Sequence, residues 1–172
     1  LKSEIPTSLL VWTTTPWTLP ANVGIAVSEE SKYIIIEGTF SESREPERLI
    51  LSEELADDVI NESYKIIGTM TGQDLIGVEY EPLYALSDPK DNAYRVVSAD
   101  FVSLSDGTGL VHIAPAYGAE DLNVGRTENL PIIHVVDLNG AIEEFTDGPQ
   151  KGLFFKEADP LITEHLKEKG RL

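Results

Sequence analysis

Short segments rich in β-branched and aromatic residues recur along the chain, and this pattern limits its possible folds more than any other feature. Turn residues such as Asn139-Gly140 separate them. Helical segments are too few for a regular alternation of strands and helices. The sequence therefore predicts a mainly β fold with peripheral helices, closed or partly closed like a β-barrel. The predicted strands cover residues 8–14, 33–37, 48–51, 65–70, 94–98, 110–113 and 132–136.

Three further segments have apolar residues at helical spacing. Residues 52–60 begin with Ser52, which suits an N-cap. Residues 120–129 begin with two acidic side chains, which favour the first turn of a helix because of its dipole. Residues 159–170 begin with Asp159-Pro160, a capping residue followed by proline at the first helical position, and end at a glycine.

The length and composition are those of one globular domain. The chain has 172 residues, of which 41% are hydrophobic and 25% charged. Cysteine is absent, which excludes a disulfide framework and a thiolate metal site. The chain begins at Leu1 rather than at methionine, so we expect residues 1–172 to be a single domain excised from a larger protein.

The formal net charge is −17, which disfavours a nucleic-acid-binding surface because phosphate contacts require Lys and Arg. Most carboxylates are expected on a solvated face. The longest apolar runs are far shorter than the ~20 residues that span a bilayer, and no secretory leader begins the chain. We expect a cytoplasmic location and no membrane partner.

Several kinds of active site are absent from the sequence. The histidines, His112, His134 and His165, are too scattered for a zinc site, so we expect no metal. There is no Gly-x-Ser-x-Gly elbow, P-loop or dinucleotide fingerprint. We therefore expect no cofactor and no binding of ATP phosphates.

One unusual segment, residues 12–22, reads Trp-Thr-Thr-Thr-Pro-Trp-Thr-Leu-Pro-Ala-Asn. Threonine favours an extended backbone, whereas Pro16 removes a donor and ends the strand. A core strand would carry Val or Ile where this one has Thr13, Thr14 and Thr15. The segment therefore predicts a broken strand that turns hydroxyl groups towards a cavity.

A second segment, residues 106–121, combines an Asp-Gly-Thr-Gly turn, a short strand, a compact loop and the start of a helix. His112 is expected at the end of the strand and Asp121 in the first turn of the helix. Taken singly, His112 is explained as a core histidine, Asp121 as a helix cap and Asn22 as a turn residue. Their combination with the threonine run favours a binding pocket.

Together, the two segments resemble the editing (connective-peptide) domain of isoleucyl-tRNA synthetase. The later segments Val-Asp-Leu-Asn-Gly and Lys-Gly-Leu-Phe-Phe-Lys-Glu-Ala agree, whereas residues 39–92 are the least diagnostic. Valyl and leucyl editing domains are less similar, since they have Thr-Thr-Arg-Pro and no histidine at the position of His112. The resemblance implies the barrel-like editing-domain fold that these three synthetases share.

The resemblance also implies an activity, namely hydrolysis of valine misattached to isoleucine tRNA, and of valyl-adenylate, with isoleucine excluded. The expected partners are the CCA end of the misacylated tRNA, valyl-adenylate and the rest of the synthetase chain. The catalytic candidates are Asp121, Thr14 and Thr15. The substrate-binding candidates are Thr13, Trp17, Asn22, His112 and Asp121.

The matching residues have distinct roles in the family. The aspartate matching Asp121 holds the α-amino group, and the histidine matching His112 walls the side-chain pocket. The threonines, with Trp17 and Asn22, line the ester and the terminal adenosine. No side chain is a strong base, so an oriented water is the expected nucleophile.

Three questions stay open at this point. The sequence does not decide between Asp121 and its neighbour Glu120, although the motif favours Asp121. A non-catalytic module that docks the tRNA acceptor end is one alternative function. An editing domain of the valyl type, which clears threonine, is the other.

Overall fold

The computed structural model describes residues 5–40, 45–85, 91–143 and 151–172, in which seven strands form the two central sheets. Helices in this part of the chain are short except for the last two. The strands are β1 (Thr7–Leu9), β2 (Gly24–Val27), β3 (Lys32–Gly38), β4 (Glu47–Ser52), β5 (Tyr64–Thr71), β6 (Arg95–Ser98) and β7 (Val111–Ile113). The helices are a 3-10 helix (Pro16–Ala21), α1 (Ala56–Val59), α2 (Gly72–Leu75), α3 (Ala119–Thr127) and α4 (Phe155–Glu168).

The strands form two sheets. The four-stranded sheet has the order β1-β4-β3-β5, in which β1 and β4 are parallel and the other pairs antiparallel. The three-stranded sheet has the order β6-β2-β7, in which β2 is parallel to β6 and antiparallel to β7. The prediction of a mainly β fold with peripheral helices is confirmed, and within the described residues the sheets do not close into a barrel.

The segment after β1 connects the two sheets. The Leu10 N–H donates to the carbonyl of Ile50 in the first sheet, at 3.0 Å. Two residues later, Trp12 forms a parallel bridge with Val111 of β7 in the second sheet. The threonine run therefore begins where the chain passes from one sheet to the other.

Strand β2 lies between two hydrophobic clusters. Ile25 and Val27 pack with β3 and β4 in the main core, whereas Ala26 packs in a second cluster below α3. Both faces of β2 are therefore buried, and the strand lacks the apolar–polar alternation of a half-buried strand. Because β2 lacks this alternation, begins with glycine and includes alanine, the sequence did not predict it.

Helix α4 covers the 3-10 helix. Ala158, Ile162 and Leu166 lie four residues apart on one side of α4 and pack in a cluster with Leu19. The Asp159 carboxylate accepts the backbone N–H of Trp17 at 2.8 Å. No helix of the described ranges is long and apolar enough to cross a bilayer.

Strands β3 to β7 and helix α3 lie where the sequence predicted them, to within a few residues. The strand predicted over 8–14 is shorter, because β1 ends at Leu9 and the chain then passes to the second sheet, where Trp12 bridges Val111. The strand predicted over 132–136 is wrong. The backbone N–H groups of Val135 and Val136 donate to the Tyr117 hydroxyl at 2.6 and 3.3 Å rather than to a neighbouring strand.

Two predicted helix starts are also wrong. Ser52 is the last residue of β4 and its N–H donates to the carbonyl of Thr108, so α1 begins only at Ala56. Helix α4 begins at Phe155, with Pro160 inside it, because the buried face of the helix compensates for the missing backbone donor. Asp159 binds Trp17 and does not cap the helix.

Gly109 lies so close to Ser52 that a larger residue at this position should destabilise the fold. Gly109 has φ +76°, and a Cβ atom there would lie 2.5 Å from the Cβ of Ser52. We expect Gly109→Ala to lower the free energy of unfolding by about 2–4 kcal/mol, through left-handed strain and overpacking together. Gly77→Ala is the matched control, since φ is +82° but no atom lies within 4 Å. Urea unfolding of both variants measures the difference, and equal losses would contradict the close approach.

Candidate functional site

The threonine run is an irregular, accessible segment between the bridge at Trp12 and the 3-10 helix. Thr14 and Thr15 are exposed, and Thr13 is partly exposed. The Thr15 N–H donates to Oγ1 of Thr13 at 3.1 Å, a local bond that holds the turn. The run has no regular strand structure, and the side chains of Thr14 and Thr15 are exposed to solvent.

Thr18, which the sequence analysis did not single out, connects the threonine run to His112. Its backbone N–H and its Oγ1 both donate to the carbonyl of Thr15, at 3.1 and 2.9 Å. The same Oγ1 lies 2.9 Å from Nε2 of His112. The spacing of Thr15 and Thr18 predicts only the first of these contacts, because a 3-10 turn brings residues i and i+3 together.

His112 is buried in β7, where it pairs with Ile25 of β2. Only 9% of its surface is exposed, and its Nδ1 has no hydrogen-bond partner among the described residues. Burial lowers the pKa of the imidazole to about 4. The side chain is therefore neutral at physiological pH.

The buried imidazole makes stability depend on pH. Its pKa falls from 6.5 in the unfolded chain to about 4 in the fold, so the unfolded state binds more protons between these values. The stability that depends on a neutral His112 is fully present above pH 6.5. It is lost as the pH falls towards 4, because the unfolded chain takes up this proton more readily than the folded one. We expect the free energy of unfolding to drop from pH 7 to pH 5 by up to about 2 kcal/mol more in the wild type than in His112→Gln. Urea unfolding at the two pH values tests this, and parallel pH profiles would contradict it.

Asp121 lies in the first turn of α3 and ties the helix to the end of β7. Its Oδ2 accepts the backbone N–H of Ala114 at 2.8 Å, two residues beyond His112. Burial raises the pKa of the carboxyl, against the lowering effect of the N–H groups of Ala114 and of Asp121 itself. Glu120, the neighbouring carboxylate, is exposed. The structure thus brings Asp121, and not Glu120, to the strand end that carries His112.

Trp17 lies in an aromatic cluster on the 3-10 helix. Its ring meets Tyr117 edge-on at 4.8 Å between centroids, and Phe155 of α4 at 4.6 Å. This packing holds the ring on the loop between β7 and α3. Trp17 is only partly buried, so part of its ring remains accessible.

Asn22 is held by the fold through both ends of its amide. Its Nδ2 donates to the carbonyl of Gly24 at 2.8 Å, and its Oδ1 accepts the hydroxyl of Tyr80. One N–H and one lone pair of the amide are not used by these bonds. Asn22 is therefore a fixed group with limited remaining capacity for a ligand.

A shallow depression of about 150 Å³ lies on the other side of β7. Trp12 and Val111 line it, and as bridge partners they share one face of the sheet. His112 follows Val111 and points to the opposite face. None of the predicted site residues lines this depression, which is separate from the pair formed by Thr18 and His112.

Comparison with known proteins identifies the family, although no family model matches the chain. It is 44% identical over 174 residues to the isoleucine–tRNA ligase of Clostridium novyi, and 42% identical over 177 residues to that of Pyrococcus horikoshii. These alignments cover 100% and 95% of this chain. The chain belongs to the isoleucyl-tRNA synthetase family. It spans only 16% of the length of these curated relatives.

Solved structures show that this part of the synthetase has the editing-domain fold. The crystal structure of GlLeuRS-CP1 superposes with a TM-score of 0.74 over 96% of this chain and 82% of that one, at 13% identity. The editing domain of the Plasmodium falciparum cytosolic leucyl-tRNA synthetase superposes with a TM-score of 0.68 over 95% and 77%, at 11% identity. The fold expected from the resemblance is thus confirmed, and the editing domain keeps it at low sequence identity.

Proposed function

We propose that this editing domain hydrolyses valine from misacylated isoleucine tRNA and from valyl-adenylate, admitting valine and excluding isoleucine. The observation that carries the proposal is the hydrogen-bonded connection from Thr15 through Thr18 to His112. It joins an accessible run of hydroxyl groups to a buried, neutral imidazole, and Asp121 is bonded to the same strand end. An aminoacyl ester can use all three elements: hydroxyl groups for the ester, a wall for its side chain and an anion for its ammonium.

Asp121 is proposed to hold the α-ammonium group. A carboxylate fixed by a backbone N–H is pre-oriented, and a charge-assisted hydrogen bond to an ammonium is about twice as strong as a neutral one. Every aminoacyl ester carries this ammonium, so Asp121 anchors the substrate without distinguishing valine from isoleucine.

His112 is proposed to close the side-chain pocket. With a pKa of about 4 it is a weak base, and its Nε2 is engaged by Thr18. A buried neutral ring is well suited to a wall, because its position is fixed and it brings no charge beside an apolar side chain.

A selective editing pocket is needed because a single hydrophobic pocket discriminates poorly between valine and isoleucine. One methylene group is worth only ~1–3 kcal/mol in a hydrophobic pocket, a magnitude for which isoleucyl-tRNA synthetase is itself the reference example. A second pocket that admits valine and is too small for isoleucine adds another stage of discrimination. The first pocket would lie elsewhere in the synthetase.

Hydrolysis is proposed to use an oriented water molecule. Thr13, Thr14 and Thr15 supply hydroxyl groups that position the ester and the water, and a ribose hydroxyl of the substrate is available to assist. Holding the reactants in the correct geometry supplies a large part of such a rate enhancement. Trp17 and Asn22 are proposed to border the terminal adenosine.

The acidic surface bears on how tRNA reaches the site. A net charge of −17 opposes direct binding of the tRNA body. We propose that the rest of the synthetase holds the tRNA and delivers only its CCA end, so that the aminoacyl adenosine is the ligand of this domain.

A hydrolysis assay with minimal esters tests the proposal without tRNA docking. We expect the domain to hydrolyse 2′(3′)-O-valyl-adenosine faster than buffer does, and the isoleucyl ester at least tenfold more slowly than the valyl ester. No acceleration of either ester would favour a module that only docks the acceptor end. Preference for the threonyl ester would favour editing of the valyl type.

A further inference from the structure

The hydroxyl group of Thr18 has two partners but only one proton. It lies 2.9 Å from the carbonyl oxygen of Thr15 and 2.9 Å from Nε2 of His112. The carbonyl can only accept, whereas the imidazole nitrogen accepts or donates according to its tautomer. The direction of the two bonds is therefore set by where the single proton of Thr18 points.

Burial of His112 decides between the two arrangements. If Thr18 donated to Nε2, the ring proton would lie on Nδ1, which has no partner in the described structure. In that arrangement no proton would lie between the Thr18 hydroxyl oxygen and the Thr15 carbonyl oxygen, which are 2.9 Å apart, and a buried N–H would stay unpaired. If Thr18 instead donates to Thr15, Nε2–H donates to Thr18 and Nδ1 keeps only a free lone pair.

We propose that Thr18 is a positioning residue that holds His112 as the neutral Nε2–H tautomer with its ring fixed in one orientation. The Thr18 hydroxyl oxygen accepts the hydrogen bond from Nε2–H of His112, and the same hydroxyl donates its own hydrogen bond to the Thr15 carbonyl. The orientation of the wall residue is thereby coupled to the backbone of the threonine run.

The burial of Thr18 supports this indirect role. Only 5% of its surface is exposed, in contrast to the exposed Thr14 and Thr15. Thr18 is therefore placed to act through its hydrogen bond to His112. The link to selectivity rests on the proposed function, whereas the tautomer of His112 does not.

The first experiment is ¹⁵N NMR of the imidazole of His112 in the wild type, in Thr18→Ser and in Thr18→Val. We expect the wild type to carry its proton on Nε2 and the serine variant, which keeps the hydroxyl, to retain that tautomer. The valine variant keeps the branched shape but offers no acceptor, so the two ring nitrogen shifts should converge as the tautomers mix. A wild-type proton on Nδ1, or a valine variant identical to the wild type, would overturn the proposal.

The second readout is the ratio of valyl to isoleucyl ester hydrolysis. We expect Thr18→Val to lower this ratio by up to about tenfold. Thr18→Ser, which keeps the hydroxyl, should retain most of the wild-type ratio. An unchanged ratio beside a changed tautomer would show that the orientation of His112 does not set selectivity. A third outcome is that neither the wild type nor any variant discriminates between the two esters, while the tautomer of His112 behaves as expected. In that case the proposed function fails and the role of Thr18 in setting the tautomer stands. Backbone amide spectra report whether each variant is folded, and Thr18→Ala is the second variant without a hydroxyl.

Discussion

Asp121→Asn is expected to weaken binding of a non-hydrolysable valyl-adenosine analogue by about 10- to 100-fold. A hydrogen bond to a charged group contributes about 1.5–3 kcal/mol, and the asparagine cannot supply the negative charge for the ammonium. Asparagine keeps an oxygen for the Ala114 N–H, so the loop between β7 and α3 should survive the change. Calorimetric titration of the wild type and the variant measures the difference.

Glu120→Gln is the matched control for this substitution. It removes one negative charge from the adjacent residue, whose side chain is exposed, and should leave the affinity almost unchanged. Equal losses in the two variants would mean that general electrostatic attraction, and not a specific contact of Asp121, binds the ligand.

The pH dependence of ligand binding tests the role of Asp121 independently of the substitution. The ammonium pairs with the ionised carboxylate, so affinity falls as the pH drops through the pKa of Asp121. Burial raises this pKa, and the loss should therefore begin at a higher pH than for an exposed aspartate. The control variant at Glu120 should show the same profile as the wild type.

His112→Ala is expected to admit the isoleucyl ligand. Removing the imidazole leaves space in a buried part of the structure, and the pocket then has room for one more methylene group. Since that group is worth ~1–3 kcal/mol, the preference for valyl over isoleucyl analogue should fall by about tenfold or more. The same titration with the two analogues measures the ratio.

His134→Ala is the matched control for His112. His134 is exposed, and its ring lies edge-on to Tyr117 at 6.4 Å, outside the connection from Thr15 to His112. The control should keep the selectivity of the wild type. An unchanged preference in His112→Ala would show that another residue forms the wall.

The sequence predicted those parts of the fold that depend on local patterns. Strands β3 and β4 carry continuous apolar runs flanked by polar residues, and both were found. The parts that it missed depend on tertiary contacts: β2 is buried on both faces, and Pro160 is tolerated because α4 packs on the 3-10 helix. Helix α2 is different, since Thr71 and Asp74 form a capping box, which is a local signal for the start of a helix.

The site was predictable as two motifs but not as one hydrogen-bonded unit. Local patterns placed Asp121 in a first helical turn, where the structure has it, and His112 at a strand end, whereas His112 is the central residue of the short strand β7. Thr18 was not predicted, because its contact with His112 spans 94 residues of sequence and no local pattern encodes it. The bond from Asp159 to Trp17 spans 142 residues and was unpredictable for the same reason.

The measurement that tests the central claim most directly is an NMR titration with two non-hydrolysable ligands, valyl-amino-adenosine and its isoleucyl analogue. We predict saturable binding of the valyl ligand, with shift changes centred on Thr13, Thr14, Thr15 and Asp121, and no saturable binding of the isoleucyl ligand. Equal binding of both ligands, or binding of neither, would contradict a valine-selective editing pocket.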